Sequence, residues 1–533
     1  MSDMPMTGEE SSSYDEIPYH GGPFPQTHPY QLATIATLFG MKPPPVDRCR
    51  VLEIGCASGD NLIPMALELP ESAFVGIDLS ARQIGEAKET ATILGLQNAK
   101  FQKANIMDIG PDFGEFDYII THGVFSWVPQ PVADKILEVS ARNLAPNGVA
   151  YISYNTLPGW HMRGMIRDMM CYHTRQFARP EVRVRQARAL LKFLADSVPG
   201  EKNPYGTYLK NEVKYLQDKH DSYIYHDHLA QNNNPLYFHQ FVERAETAGL
   251  QYLGESGFGA MALAAHDLPA NVMATLQQIS PHLIHREQYM DFVRNATFRQ
   301  TLLCHKKTTL DRSLKSEYMT PLFVALPAKP VVVKADVSAK EPLKLGFPGG
   351  RNVSIHHPIT KAAIVHLSEI WPHGITFDKL RAVARARLDS KGKPNKTAAI
   401  RDAQTLAISL QSLYARGFIE LGVCELPNSP ALSERPIAGP LMRLQAQRGK
   451  PVTNLCHRSI AINEFERRAL ENLDGHHDRN QLLEIIEGLV ANGGLVVRNK
   501  DKSSLAVDDV KKLVAETLDK SLARFQQYHL LVG

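Results

Sequence analysis

Cysteine is scarce in this chain of 533 residues: there are six, at positions 49, 56, 171, 304, 424 and 456, and no two form a C-x-x-C pair. That spacing excludes a zinc ribbon and a thioredoxin-like motif, and sparse unpaired thiols fit a reducing compartment. No run of 18 apolar residues occurs, so a membrane span is not expected. Residues 1–16 are polar and acidic and lack the basic and apolar regions of a signal peptide, which makes a cytoplasmic location the expectation. Neither sign of charge dominates: 59 Lys and Arg face 56 Asp and Glu, a net charge of +3 that argues against a dedicated nucleic-acid scaffold. Gly (35) and Pro (34) are too few for a collagen-like or low-complexity chain. What remains is globular in composition, 44% hydrophobic and 22% charged, and long enough for three or four domains at roughly 150 residues each.

Along the chain, apolar residues at helical spacing (Leu32, Ile35, Ala36, Phe39) predict a helix over 29–39, capped by Thr27 or His28 and stopped by Gly40. From residue 50 the pattern becomes strand–helix alternation, with strands at 51–54, 73–77, 99–103, 118–121 and 149–154. Alternation of this kind predicts an α/β fold, a doubly wound parallel sheet covered on both faces. The alternation breaks into an Arg-rich helical stretch at about 162–235 and resumes with a helix at 235–248 and strands at 251–254 and 299–305. The expected division is an N-terminal lid and helix (1–49), a sheet domain with a helical insertion (50–310), a linker (311–350), a winged-helix-like module (351–426), a second linker (427–450) and a C-terminal helical module (451–533).

The chemistry is concentrated in Glu53-Ile54-Gly55-Cys56-Ala57-Ser58-Gly59, which follows a strand and opens a helix. Small residues there let the backbone turn tightly and approach a ligand. The G-x-x-x-G spacing is not the G-x-G-x-x-G of a dinucleotide site, and Gly59 is followed by Asp60-Asn61 rather than by the Lys-Ser/Thr of a P-loop. Glu53 at the strand end suits a positively charged group better than a diphosphate. Asp78, ending Val75-Gly76-Ile77-Asp78-Leu79, is placed to accept both hydroxyls of a ribose. An adenosyl ligand with a cationic centre and no diphosphate fits, and S-adenosylmethionine is such a ligand.

These residues, with Ala104-Asn105-Ile106-Met107-Asp108, resemble the first three motifs of class I S-adenosylmethionine-dependent methyltransferases over about 50–155. Pro25-Gln26-Thr27-His28-Pro29, the run from His122 to Pro129 and the run from Ser153 to Trp160 narrow the resemblance to bacterial methyltransferases that carry a methyltransferase regulatory domain. That group includes protein-lysine methyltransferases. The resemblance implies cofactor contacts from Glu53, Gly55, Cys56, Ala57, Gly59 and Asn61 on the loop, Asp78 and Leu79 after the second strand, Asn105 and Ile106 after the third, and His122 after the fourth. Tyr14, Thr27 and His28 are the expected contacts of a lid formed by 14–28. Two positions depart from the family pattern: Ala57 replaces a glycine and Asn105 stands where many members have Asp.

Tyr154, Asn155, His122, Trp127 and Trp160 lie just beyond predicted strand ends, the edge where open α/β sheets bind ligands. They are the candidate catalytic residues, an aromatic wall able to desolvate and hold an ammonium group, with Tyr154 or His122 available to help remove its proton. No metal site is expected, since the paired histidines lack Cys or carboxylate partners at ligand spacing. The expected activity is methyl transfer from S-adenosylmethionine to a lysine of a protein substrate. A small-molecule acceptor and a catalytically idle cofactor-binding regulator are the alternatives. A nucleic-acid partner is not expected, and a homodimer is left open. The modules beyond residue 350 are expected to hold the substrate protein and to be removable near Ser338 without loss of the cofactor site.

Overall fold

The computed structural model describes residues 21–264, 268–332, 336–388, 396–496 and 507–533. Tyr14, expected in the lid, lies outside the described residues. Among them, no helix is long and apolar enough to cross a membrane.

The chain first forms α1 (Pro29–Leu38), whose start is set by Pro29 in the first turn and by His28, whose Nδ1 accepts from the Tyr30 N–H at 3.2 Å. Five strands then alternate with helices: β1 (Arg50–Ile54), α2 (Leu62–Glu68), β2 (Ala73–Asp78), α3 (Ala81–Ile93), β3 (Ala99–Lys103), β4 (Phe116–Thr121), α4 (Gln130–Arg142) and β5 (Leu144–Asn155). The reason α3 begins where it does is local: Ser80 Oγ accepts from the Gln83 N–H at 3.1 Å. β1, β2, β3, β4 and β5 are parallel neighbours, and all six residues of β4 are buried, as a strand covered on both faces must be.

A helical insertion follows, α5 (Gly159–Thr174), α6 (Pro180–Ser197) and α7 (Pro204–Gln217), with its own small core around Ile166, Val184 and Leu209. The chain then returns through α8 (Phe238–Thr247) to β6 (Leu250–Glu255), two helices, α9 (Ala270–Ile279) and α10 (Leu283–Arg294), and β7 (Phe298–His305). Strand β7 runs antiparallel between β5 and β6, and the finished sheet has the order β3-β2-β1-β4-β5-β7-β6. Two apolar layers cover it. One contains α1, α2 and α3, and the other α4 and α8.

The linker expected at 311–350 is not structureless. It holds β8 (Phe323–Ala325), β9 (Val331–Val332) and β10 (Leu343–Phe347), and β10 pairs with β11 (Arg351–Ile355). These strands are two to five residues long in a segment rich in Pro and Lys, so their pairing comes from distant partners rather than from a local apolar pattern. Next come α11 (Pro358–Ile370), β12 (Ile375–Thr376), α12 (Phe377–Leu388), α13 (Lys396–Ala415) and β13 (Glu420–Gly422), with β8 between β12 and β13 in one sheet. This module has no separate core: Leu322, Val324, Ile359, Leu410 and Leu421 pack in the same cluster as Leu32 and Ile35 of α1. The expectation of a self-contained module after 350 is corrected accordingly.

The last module is α14 (Pro440–Gln447), β14 (Val452–Thr453), β15 (Ser459–Ile460), α15 (Glu464–Glu471), α16 (Arg479–Ala491) and α17 (Val507–Gln527). Helix α14 falls in what the sequence reads as a second linker. Reciprocal caps start α15 (Asn463 with Glu466) and α16 (Asp478 with Gln481). This module does have its own core, around Leu470, Leu482, Leu518 and Phe525.

Candidate functional site

The carboxyl ends of β1 to β5 meet along one edge of the sheet. After β1 the chain turns through Gly55 (φ +77°), Ala57 (φ +48°) and Gly59 (φ +74°), all in the left-handed region. A Cβ on Gly55 would lie 2.4 Å from Val124 Cγ2, so the turn excludes a side chain because of the neighbouring β4 loop, not because of a ligand. Ala57 holds the same unfavourable region with a methyl group, and its N–H donates to Asp78 Oδ2 at 3.0 Å. The other Asp78 oxygen accepts from the Ser80 N–H at 2.9 Å. Asp78 thus ties the loop after β1 to the end of β2. Cys56 contributes packing: its thiol is buried and pushed well above the usual range by burial and by the nearby Glu53 and Asp78 carboxylates.

Glu53 is the most unusual group at this edge. Its side chain is 3% exposed, and Oε1 accepts from Asn61 Nδ2 at 2.7 Å, while Oε2 is buried with no hydrogen-bond partner. Burial first, with Asp78 and Asp60 adding to it against the Asn61 hydrogen bond, pushes its pKa up to about 8. A buried carboxylate oxygen left without a donor is costly, and an ammonium or sulfonium brought beside it would relieve that cost. On this ground the donor set fits the cationic methionine end of S-adenosylmethionine.

The adenosine end has matching features. Leu79 directly after Asp78 is 58% exposed, and Met107 after Asn105 is 44% exposed, so two apolar side chains stand open at the ends of β2 and β3. Asn105 caps a short turn by accepting from the Met107 N–H at 3.0 Å, and Ile106 is buried beneath it. The residues present would hold an adenine between apolar faces and a ribose on Asp78.

Asn61 organises the loop from behind. Its Nδ2 donates to Glu53 Oε1 and, at 3.0 Å, to Thr27 Oγ1, while its Oδ1 accepts from the Phe24 N–H at 2.9 Å. Thr27 therefore reaches the site through Asn61. His28 sits deeper still, a helix cap whose Nε2 lies 3.3 Å from Glu68 and whose ring packs 5.2 Å from that of His457.

Beyond the loop, an aromatic group gathers at the ends of β4 and β5. The Phe24 ring lies 4.0 Å from that of His122, Phe298 meets His122 edge-on at 6.2 Å, and Tyr151 OH is 2.9 Å from His122 Nδ1. Burial pushes His122 down to about 4, so the imidazole is neutral at neutral pH. Phe24 joins both halves of the edge: its N–H is bound to Asn61, and its ring lies on His122.

Tyr154 is not part of this group, which corrects the expectation that it is catalytic. It is 1% exposed, its ring stacks on Phe241 at 4.0 Å in the layer under α8, and its hydroxyl is 3.2 Å from Thr301 Oγ1. The reason is strand parity. Along β5 the side chains of Tyr151, Ser153 and Asn155 point to one face and Ile152 and Tyr154 to the other. Asn155 is on the right face, with Nδ2 donating to Asn233 at 2.9 Å and its N–H held by Ser126 Oγ at 2.8 Å. Trp127 and Trp160 pack edge-to-face at 5.9 Å, bracing the β4 loop against α5. Tyr151, Phe24, Phe298 and Asn233 were not singled out from sequence. Parity would have revealed Tyr151, whereas the others arrive from the N-terminal strap, β7 and the segment after the insertion.

Family models match three parts of the chain: a methyltransferase domain over 45–219, a predicted methyltransferase regulatory domain over 220–305, and a PKMT C-terminal winged helix domain over 434–530. The regulatory match covers α8 to β7, the part that completes the sheet, together with residues 220–235, the end of the stretch that the sequence reads as a helical insertion. The winged-helix match falls on the last module, where the sequence reading placed a helical module beside its winged-helix-like 351–426. An uncharacterised protein of Rickettsia prowazekii is 37% identical over 99% of this chain and 95% of its own. An uncharacterised protein of Synechocystis is 26% identical over 76% of this chain and 74% of its own. Among solved structures, PKMT2 of Rickettsia typhi in complex with AdoHcy superposes with a TM-score of 0.82 at 32% identity, covering 97% of this chain and all of that one.

Proposed function

We propose that this chain, which belongs to the family of S-adenosylmethionine-dependent methyltransferases joining a methyltransferase regulatory domain to a PKMT C-terminal winged helix domain, methylates a lysine side chain of a protein. Methyl transfer is the activity of the family. The name PKMT2 of the Rickettsia typhi relative, read as protein-lysine methyltransferase, supports the finer reading, and so does the chemistry of the sheet edge.

The observation that carries the acceptor reading is Phe24, which ties the cationic-ligand pocket at Glu53 to the aromatic group at His122. Bound S-adenosylmethionine supplies an electrophilic methyl group on a positively charged sulfur. The chain's own residues do the rest. Glu53 would face the ammonium end, Asp78 would accept the ribose hydroxyls, and Leu79 and Met107 would cover the adenine. On the acceptor side, Phe24 and Phe298 would strip water from an ammonium group while their ring faces attract it. The nucleophile must be the neutral amine. His122 is a poor base for that step: passing a proton from an ordinary lysine ammonium to an imidazole with a pKa of about 4 is uphill by roughly 9 kcal/mol. Desolvation would lower the ammonium's own pKa and let its proton leave to water, and the aromatic group would hold the neutral amine in line with the cofactor's methyl group. His122, held by the Tyr151 hydroxyl, would then be a neutral hydrogen-bonding group that orients the amine. All six cysteines are free thiols, which favours a reducing, cytoplasmic location.

The test is incubation of the purified protein with methyl-labelled S-adenosylmethionine and cell lysate, followed by mass spectrometry of labelled bands. Label on lysine of one or a few proteins is the expected result. Label confined to the small-molecule fraction, or cofactor binding with no transfer at all, would overturn the lysine reading.

A further inference from the structure

The last module keeps its own core, yet one of its side chains enters the cofactor edge. His457, in the loop between β14 and β15, is 3% exposed and holds the left-handed region at φ +54°. Its Nε2 lies 2.8 Å from Asn61 Oδ1, across 396 residues of sequence. Burial and the neighbouring His28 push its pKa well below the usual histidine value, so the ring is neutral and carries one proton. Its Nδ1 is buried without a partner, so that proton belongs on Nε2, donated to Asn61.

The inventory at Asn61 then closes. Two N–H groups, from Phe24 and His457, point at Oδ1, and the two hydrogens of Nδ2 go to Thr27 Oγ1 and Glu53 Oε1. This arrangement fixes which way the amide faces. A flipped amide would turn its NH2 toward two donors, the N–H groups of Phe24 and His457. The docking is steadied by Lys450, 3.3 Å from Asp60, and by Arg448, which donates to Thr90 Oγ1 at 2.8 Å.

Resting on the reading of Glu53 as the seat of the cofactor's cationic end, we infer that His457 is a positioning residue for cofactor binding: the winged helix, through His457 and Asn61, holds Glu53 in place for the ammonium group. Occupancy of the cofactor site and docking of the winged helix are then linked, and each strengthens the other.

Calorimetric titration of the full chain with S-adenosylhomocysteine tests this, with a thermal melt on every variant. His457→Ala is expected to weaken binding about tenfold, and in an Asn61→Ala background to weaken it less than twofold further. His457→Gln and His457→Asn separate positioning from backbone strain. At a positive φ, Asn is the better-tolerated residue. Only Gln, however, reaches far enough to put its NH2 where Nε2 stands. A positioning role ranks Gln near wild type and Asn with Ala, and a merely structural role ranks them the other way. That reversed ranking, or unchanged affinity in folded His457→Ala, overturns the inference. A folded wild type that does not bind S-adenosylhomocysteine overturns the cofactor reading itself, and the inference with it.

Discussion

Residues 322–421 and residues 438–531 each set helices around a small sheet, but they join the methyltransferase domain in opposite ways. The first module shares its core: Leu322, Val324, Ile359, Leu410 and Leu421 pack with α1, and the Tyr30 hydroxyl of α1 donates to the Cys424 carbonyl at 2.8 Å. The second buries Leu470, Leu482, Leu518 and Phe525 among themselves, lends Leu441 to the shared core, and otherwise meets the methyltransferase domain through polar contacts, His457 to Asn61, Lys450 to Asp60 and Arg448 to Thr90. Apolar fusion is worth roughly 2 kcal/mol per large side chain and is not easily released. Polar docking is worth less per contact and depends on geometry, which suits a link that can be modulated. The first module is part of the fold, and the second is a neighbour whose attachment is felt at one amide.

The largest effect that would break this comparison is loss of the shared core. A chain ending before Leu322 should lack a cooperative melt and bind no S-adenosylhomocysteine, because five or more core side chains together approach the stability of a whole domain. A soluble, cofactor-binding fragment would restore the view of a detachable module.

Next in size is the pH dependence of binding, which sharpens the account of Glu53. With its pKa at about 8 in the free protein, Glu53 holds a proton at neutral pH. The folded state therefore binds a proton that the unfolded state releases near the usual carboxylate range, and this group's contribution to stability declines as pH rises between those limits. A cation bound beside it favours the ionised form. Affinity for S-adenosylhomocysteine should rise with pH, by up to about tenfold per unit below 8, and level off above it, with proton release seen by calorimetry in buffers of different ionisation enthalpy. Glu53→Gln should remove both the slope and the proton.

Asp78→Ala should weaken binding by about 1–3 kcal/mol, since it removes the expected ribose acceptor along with the bond to the Ala57 N–H. Unchanged affinity in a folded variant would take the ribose away from this residue. The smallest effect is expected from a chain ending after Ser429. It should melt cooperatively and bind S-adenosylhomocysteine about tenfold more weakly, matching His457→Ala. A far greater loss would mean that the winged helix is as much a part of the fold as the module before it.

Much of the first half of the molecule was readable from sequence for a physical reason. Parallel strands buried on both faces appear as short apolar runs, and the helices between them carry their own start and stop signals, such as Ser80 before α3 and Gly40 after α1. The glycine loop was readable because its backbone geometry restricts residue type. What was not readable depends on distance or direction. The strands from β8 to β10 are two to five residues long and are made by partners elsewhere in the chain. Tyr154 and Asn155 were read as neighbours in one wall, although consecutive strand residues face opposite sides. Nothing at Asn61 or His457 alone signals that they meet, because the contact exists only once two domains have docked.

The measurement that tests the central claim most directly is mass spectrometry of a labelled substrate protein after incubation with the full chain and S-adenosylmethionine, with Phe24→Ala run beside it. The account predicts methyl groups on lysine nitrogens, and a Phe24→Ala variant that still binds S-adenosylhomocysteine within about tenfold but transfers at least about a hundredfold more slowly, because it loses the aromatic contact that orients the amine. Methyl groups on another side chain, or a Phe24→Ala variant that transfers at the wild-type rate, would contradict it.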